Sequence, residues 1–234
     1  MLHKNSTFNG FIQIAGVHDV QEAQMLADCG VHSVGLPLRL PVNKEDLTEG
    51  EARDLIKQIR AQILPVCITY LDKADAIIQF CKELDVTHVQ LHGEIATSEL
   101  QKLAELAPQL FVIKSLVVKS DGSNKDALLH TVDETALYVD AYITDTHNPA
   151  TGADGATGLT HDWNISALLV QHSPHPVILA GGLTANNVAE AILNVKPAGV
   201  DAHTGVEDSS GRKSRPLVHS FVKEAAKAFV KLRD

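Results

Sequence analysis

PVILAGGLTANNVAEAILNVKPAGVDAHTG, residues 176–205, is the stretch whose reading decides the architecture. An apolar run ends in two glycines, a segment with apolar residues at helical spacing follows, and a second apolar run ends in His203-Thr204-Gly205. Both runs are too continuous for a sheet that faces water on one side, so the segment reads as a βαβ unit with parallel strands buried on both faces. Thr184 or Asn186 is available to cap the intervening helix.

The same unit recurs on either side. FIQIA at 11–15 with VQEAQMLADCG at 20–30 opens the series, and HSVGLP leads to a helix that begins near Glu49. QILPVCITY at 62–70 precedes ADAIIQFCKEL at 74–84, and THVQLHG at 87–93 precedes a helix through Leu100 and Leu103. LFVIKSLVV at 110–118 is followed by a short helix around 124–132, and LYVDAYITD at 137–145 by a glycine-rich segment and a helix from Trp163. After the quoted stretch, LVHSFVKEAAKAFVKL closes the chain as an amphipathic helix. Eight strand-helix units in 234 residues, 44% of them hydrophobic, predict one closed (β/α)8 TIM barrel over 11–234, preceded by a polar arm at 1–10. A doubly wound sheet shares the alternation but usually stops at fewer strands, and the first turn, AGVHDV, lacks the GxGxxG of a dinucleotide fold.

Composition narrows the function. A formal charge of −9, from 20 basic and 29 acidic residues, gives the chain no general attraction to nucleic acid or to an anionic membrane. The opening MLHKNSTFNG has no apolar core of a signal peptide, and no stretch approaches a membrane span, so a soluble cytoplasmic protein is expected. Cys29, Cys67 and Cys81 are too scattered for a disulfide framework or a thiolate metal site. With no P-loop, no HExxH and no clustered carboxylates at ligand spacing, no cofactor and no metal are expected. Homo-oligomerisation is left open, because the apolar face of the last helix is expected to cover the barrel in any case.

In a barrel, function gathers in the loops after the strands. Ala15, Gly16, Arg39, Gln90, His92, Lys114, Asp145, Gly181, Gly182, Asp201, His203, Thr204 and Gly205 fall at or near such ends. The two glycine-bearing turns after the seventh and eighth strands look built for phosphate, with Arg212 or Lys213 nearby to add charge. The loop THNPATGADGATGLT at 146–160 has the composition of a closing lid. Asp145 and His92 are the acid-base candidates by position, and His92 can equally hydrogen-bond a substrate or its own backbone.

These residues also carry a resemblance. IQIAG at 12–16, SVGLP at 33–37, VQLHG at 89–93, the run from Gly155 to Trp163, PVILAGGLTANNV at 176–188 and VDAHTGVE at 200–207, in that order, resemble phosphoribosylanthranilate isomerase of tryptophan biosynthesis. The resemblance implies an aldose-ketose isomerase performing an Amadori rearrangement on a phosphorylated small molecule. It implies phosphate at Gly181, Gly182, Thr204, Gly205 and Val206, substrate contacts from Gln90 and His92, and Asp145 as general acid. Two positions depart from the family pattern. The cysteine that serves as base at the end of strand one is Ala15 here, and the serine pair of strand eight is His203 and Thr204. His203, on the strand next to strand one, is the expected replacement base. Arg39 is an approximate match for the arginine that holds the anthranilate carboxylate. The alternative reading is a barrel that kept the phosphate site and binds or transforms another phosphorylated metabolite.

Overall fold

The computed structural model describes residues 9–41, 45–148, 153–154 and 162–233. The arm up to residue 8, and the lid residues 149–152 and 155–160, lie outside the described residues.

Eight parallel strands form the barrel: β1 (Phe11–Ala15), β2 (Ser33–Pro37), β3 (Leu64–Thr69), β4 (His88–Leu91), β5 (Phe111–Val118), β6 (Ala141–Asn148), β8 (Val177–Leu179) and β9 (Gly199–Ala202). They pair in the order β5-β4-β3-β2-β1-β9-β8-β6, and pairing of β5 with β6 closes the ring. The closed barrel read from the sequence is therefore the fold. β7 (Ala153–Asp154) pairs antiparallel with His147 and Asn148 at the end of β6, outside the closed set.

The helices on the outside are α1 (Val20–Asp28), α2 (Glu49–Ile59), α3 (Ala74–Leu84), α4 (Thr97–Leu106), α5 (Lys125–Thr135), α6 (Trp163–His172), α7 (Val188–Val195) and α8 (Arg215–Lys231). Local signals set several of their starts. Asp19 caps α1 through the Glu22 amide, Asp162 caps α6 through the Asn164 amide, and Thr48 with Glu51 forms a reciprocal capping box on α2. The sixth strand begins at Ala141 rather than at 137 as its apolar run suggested. α5 continues to Thr135, and the Asp140 carboxylate accepts the Val112 amide at 2.9 Å, which places a bend where strand was expected.

Two apolar layers follow from the alternation of side chains along each strand. The larger lies between strands and helices. The smaller fills part of the barrel interior with Phe11, Val66, Phe111, Ile113, Ala141, Ile143, Ile178 and Ala180. Each fully buried Val, Leu, Ile or Phe contributes roughly 1.5–3 kcal/mol relative to exposure. The rest of the interior is polar. Register sets Gln13 beside Ser33 on β2 and beside Asp201 on β9, and all three are buried.

Candidate active site

At the mouth, Asp145 stands two residues beyond Ile143 on β6, so it is the next side chain on the interior face. Its carboxylate accepts the Thr146 amide at 2.7 Å, and its other oxygen lies 3.8 Å from His92 Nε2. His92, one residue past β4, is held from behind: Nδ1 shares a hydrogen bond with Ser115 Oγ at 2.9 Å, and Tyr70 packs edge-on with ring centroids 5.0 Å apart.

Asp201 stands on β9, two strands from Asp145. It is buried, one of its oxygens has no hydrogen-bond partner among the described residues, and a hydrogen bond from Gln13 supports the carboxyl. Burial, and then repulsion from the Asp145 carboxylate, push its pKa well above the usual carboxylate range. A buried acceptor without a partner is unusual and marks either protonation or a ligand position. Gln13 in turn donates to Gln90 Oε1 at 3.0 Å and accepts from Ser33 Oγ at 2.9 Å. Gln90 thus joins an interior polar network and supports the wall from within.

The ends of β1 and β9 meet as the sequence suggested. Gly16 adopts φ of 75°, and a Cβ there would fall 2.1 Å from His203 Nε2, so the imidazole rests directly on the glycine that follows Ala15. His203 Nε2 lies 3.4 Å from Glu207, and Lys213, with a fully buried side chain, donates to Glu207 Oε1 at 2.5 Å and to the His203 carbonyl at 3.2 Å. Burial, followed by the nearby Lys213 and His18 charges, lowers the His203 pKa to about 3. The ring is neutral at ordinary pH and a weak proton acceptor. Proximity to Ala15 was legible in advance, whereas this loss of basicity was not.

The two glycine-bearing turns form one unit. Gly181 and Gly182 take φ of 100° and 60°, in the region that favours glycine. A Cβ at Gly205 would lie 1.9 Å from the Leu183 carbonyl oxygen, so only glycine allows the two turns to touch. Asn187 braces the first turn by donating to the Gly182 carbonyl at 3.0 Å and accepting the Thr184 amide at 2.8 Å. Thr204 and Gly205 open a single 3-10 turn, Thr204–Val206, whose first N–H groups have no acceptor within the turn. Val206 is buried in the core beneath them. Arg212 and Lys213 do not serve this cup as suggested, since Arg212 pairs with Asp19 and Lys213 with Glu207.

Arg39 is not brought together with Asp145 and His92. Its guanidinium turns away from the mouth, bonds Glu49 at 2.8 and 3.1 Å, and lies 3.8 Å above the Phe80 ring, between α2 and α3. Carboxylates at a helix start and an aromatic face on the helix layer hold a guanidinium more firmly than an open mouth does. Asp201 and Gln13 carry more of the site than the sequence reading gave them. Their signal was a polar residue inside an apolar strand, at the parity that faces the barrel interior. Among the described residues no group of three or more His, Cys, Asp or Glu is arranged to hold a metal ion, and no helix is long and apolar enough to cross a membrane.

Comparison with known proteins agrees with this geometry. Residues 12–224 match the N-(5'-phosphoribosyl)anthranilate (PRA) isomerase family. The chain is 38% identical over 224 residues to N-(5'-phosphoribosyl)anthranilate isomerase 2 of Methanosarcina mazei, covering 95% of this chain and 97% of that protein. It is 33% identical over 218 residues to the N-(5'-phosphoribosyl)anthranilate isomerase of Haloferax volcanii, covering 93% of each. Among solved structures, phosphoribosyl anthranilate isomerase from Thermotoga maritima superposes with a TM-score of 0.77 at 24% identity, over 93% of this chain and 99% of that one, a likeness of fold. On the match along nearly its whole length, this chain belongs to the N-(5'-phosphoribosyl)anthranilate isomerase family.

Proposed function

We propose that this chain catalyses the Amadori rearrangement of N-(5'-phosphoribosyl)anthranilate, an aldose-to-ketose isomerisation, with Asp145 and Asp201 sharing the proton work. The observation that carries the reading is the pair of buried carboxyl groups, in which the Asp145 charge helps to keep Asp201 protonated. Pairs of acids pushed apart in this way supply an acid and its conjugate base at one pH.

The phosphate is held by the joined turns at Gly181-Gly182 and Thr204-Gly205. The proton held on Asp201 passes to Asp145, which protonates the furanose oxygen as the C1–O bond breaks and the substrate nitrogen forms a C=N bond to C1. The resulting carboxylate then removes the proton from C2, and that electron pair forms the C1=C2 enolamine as the C=N pair returns to nitrogen. One proton leaves the pair and one comes back, so no cysteine at position 15 is required. His92 hydrogen-bonds the sugar beside Asp145, and Gln90 supports the wall through Gln13. His203, whose pKa is about 3, closes the end of β1 over Gly16 and is too weak an acceptor to be the main base.

Turnover of phosphoribosylanthranilate by the parent, Asp201→Asn, His203→Gln and Ala15→Cys tests this reading. The parent turns over, Asp201→Asn loses about 10²-fold, and His203→Gln stays within about threefold. A His203→Gln loss as large as that of Asp201→Asn returns the base to His203. The turned-away Arg39 favours the second reading, a different phosphorylated substrate. A parent that is silent on phosphoribosylanthranilate, yet binds ribose 5-phosphate at the two turns, selects that reading.

A further inference from the structure

The outward face of β5 carries a buried cation for which the barrel mouth has no use. Ile113 points into the barrel core and Leu116 into the layer beneath the helices, and Lys114 shares the outward parity of Leu116. Lys114 is only 7% exposed. Its ammonium donates to the carbonyls of Gly93 at 3.0 Å and Ser115 at 2.9 Å. An ammonium has three donors, and among the described residues no carboxylate lies within ion-pair distance of this one. A buried charge held only by two carbonyls is poorly compensated. Burial accordingly lowers its pKa from 10.5 to about 8, against an opposing pull from Glu94.

Lys114 forms part of the wall of a cavity of about 600 Å³ that opens between the start of α4 and the flank of α5. That volume falls within the range of small-molecule sites, about 300–1,000 Å³. Ile95, Leu116 and Leu128 supply an apolar wall, and Asp72, Glu94 and Glu134 stand at the exposed rim. The charge arrangement selects a ligand class. A simple anion meets the cation but also the rim carboxylates, and a simple cation meets the reverse. A molecule carrying both charges next to an apolar body satisfies the cation, the rim and the wall together.

We propose that this crevice binds a zwitterionic small molecule of the α-amino-acid class, with its carboxylate on Lys114, its ammonium toward Glu94 and its side chain against Ile95, Leu116 and Leu128. The crevice borders the mouth, since His92 and Ser115 also contribute to its lining, but its cation and apolar wall lie on the outward side of β5. It touches the mouth's framework, because the Gly93 carbonyl that Lys114 holds belongs to the residue after His92.

The test is a backbone-amide NMR titration of the whole chain with L-phenylalanine, beside 3-phenylpropionate, which lacks the amine, and 2-phenylethylamine, which lacks the carboxylate. Phenylalanine is expected to shift Gly93, Ser115 and Thr97, and each analogue to bind at least about tenfold more weakly. Lys114→Met, which removes a buried charge and keeps the chain length of the side chain, is expected to abolish those shifts while retaining a cooperative thermal melt. Glu94→Gln is expected to erase the preference for phenylalanine over 3-phenylpropionate. The proposal is overturned if phenylalanine shifts none of these amides, if 3-phenylpropionate binds the parent as tightly, or if binding persists in Lys114→Met.

Discussion

The interior of this barrel is divided between two kinds of wall. On β5, β6 and β8 the inward residues are Phe111, Ile113, Ala141, Ile143, Ile178 and Ala180, a continuous apolar filling. Phe11 on β1 and Val66 on β3 join this filling, but further along β1 and on β2, β4 and β9 the inward residues include Gln13, Ser33, Gln90 and Asp201, joined by hydrogen bonds instead of dispersion contacts. The apolar half gains stability from every atom removed from water, whereas the polar half must satisfy each buried group merely to break even. Asp145 stands at the mouth end of β6, the middle strand of the apolar half, yet close enough to Asp201 on β9 to raise its pKa. The barrel thus packs most of its interior apolar contacts on one side and sets most of its costly polar groups on the other.

Substitution of Asp145 has the largest expected effect. Asp145→Asn keeps shape and loses the transferable proton, so kcat is expected to fall about 10²- to 10⁴-fold, measured on phosphoribosylanthranilate, with the melting temperature little changed. A comparable loss of stability would mean that Asp145 is part of the framework. On the apolar side, Phe111→Ala removes a buried ring that stacks on His88 with centroids 5.0 Å apart. Urea unfolding is expected to show a loss of about 3–5 kcal/mol while activity per folded molecule persists. Gln13→Leu is the polar counterpart. It strands Gln90 and Ser33, so a loss of about 1–3 kcal/mol is expected, with a gain in stability ruling out a network that supports the wall.

Two smaller effects sharpen the comparison through pH. Lys114 has a folded pKa of about 8, below its reference of 10.5, so the unfolded chain binds more protons between those values. Parent stability therefore gains a rising contribution from this group over that window, and Lys114→Met removes it. At neutral pH the variant is expected to be more stable by roughly 1–3 kcal/mol in urea titration. His203 has a folded pKa of about 3 against a reference of 6.5, so the unfolded chain binds more protons as pH falls through that range. His203→Gln should flatten the acid limb of the stability curve, by about 1–2 kcal/mol near pH 5, with an unchanged limb refuting the buried neutral ring.

Much of the scaffold was legible because it repeats. The run 74–84 gives α3 over the same residues, and Thr48 with Glu51 marks the start of α2. Such features depend on neighbours three or four residues away. The bend before β6 was not legible, because it depends on Asp140 reaching Val112 across 28 residues. The site divided in the same way. Gly181, Gly182 and Gly205 stood out as backbone positions that admit no side chain. The direction of the Arg39 side chain was not legible, because it is chosen by Glu49 and Phe80 on two different helices.

The order of amino acids by itself determined that eight apolar strands alternate with amphipathic helices, that glycine turns end the last two strands, and that Ala15 carries no proton acceptor. Periodicity and side-chain chemistry are local properties, and they are written in the chain. Only the tertiary structure decided that Asp201 faces Asp145's charge without a partner among the described residues for one of its oxygens, that the His203 imidazole is nearly without basicity, and that Lys114 is buried beside a cavity. The reason is that acidity and basicity inside a protein are set by desolvation and by charges on other strands, and these neighbours are assembled only when the barrel closes.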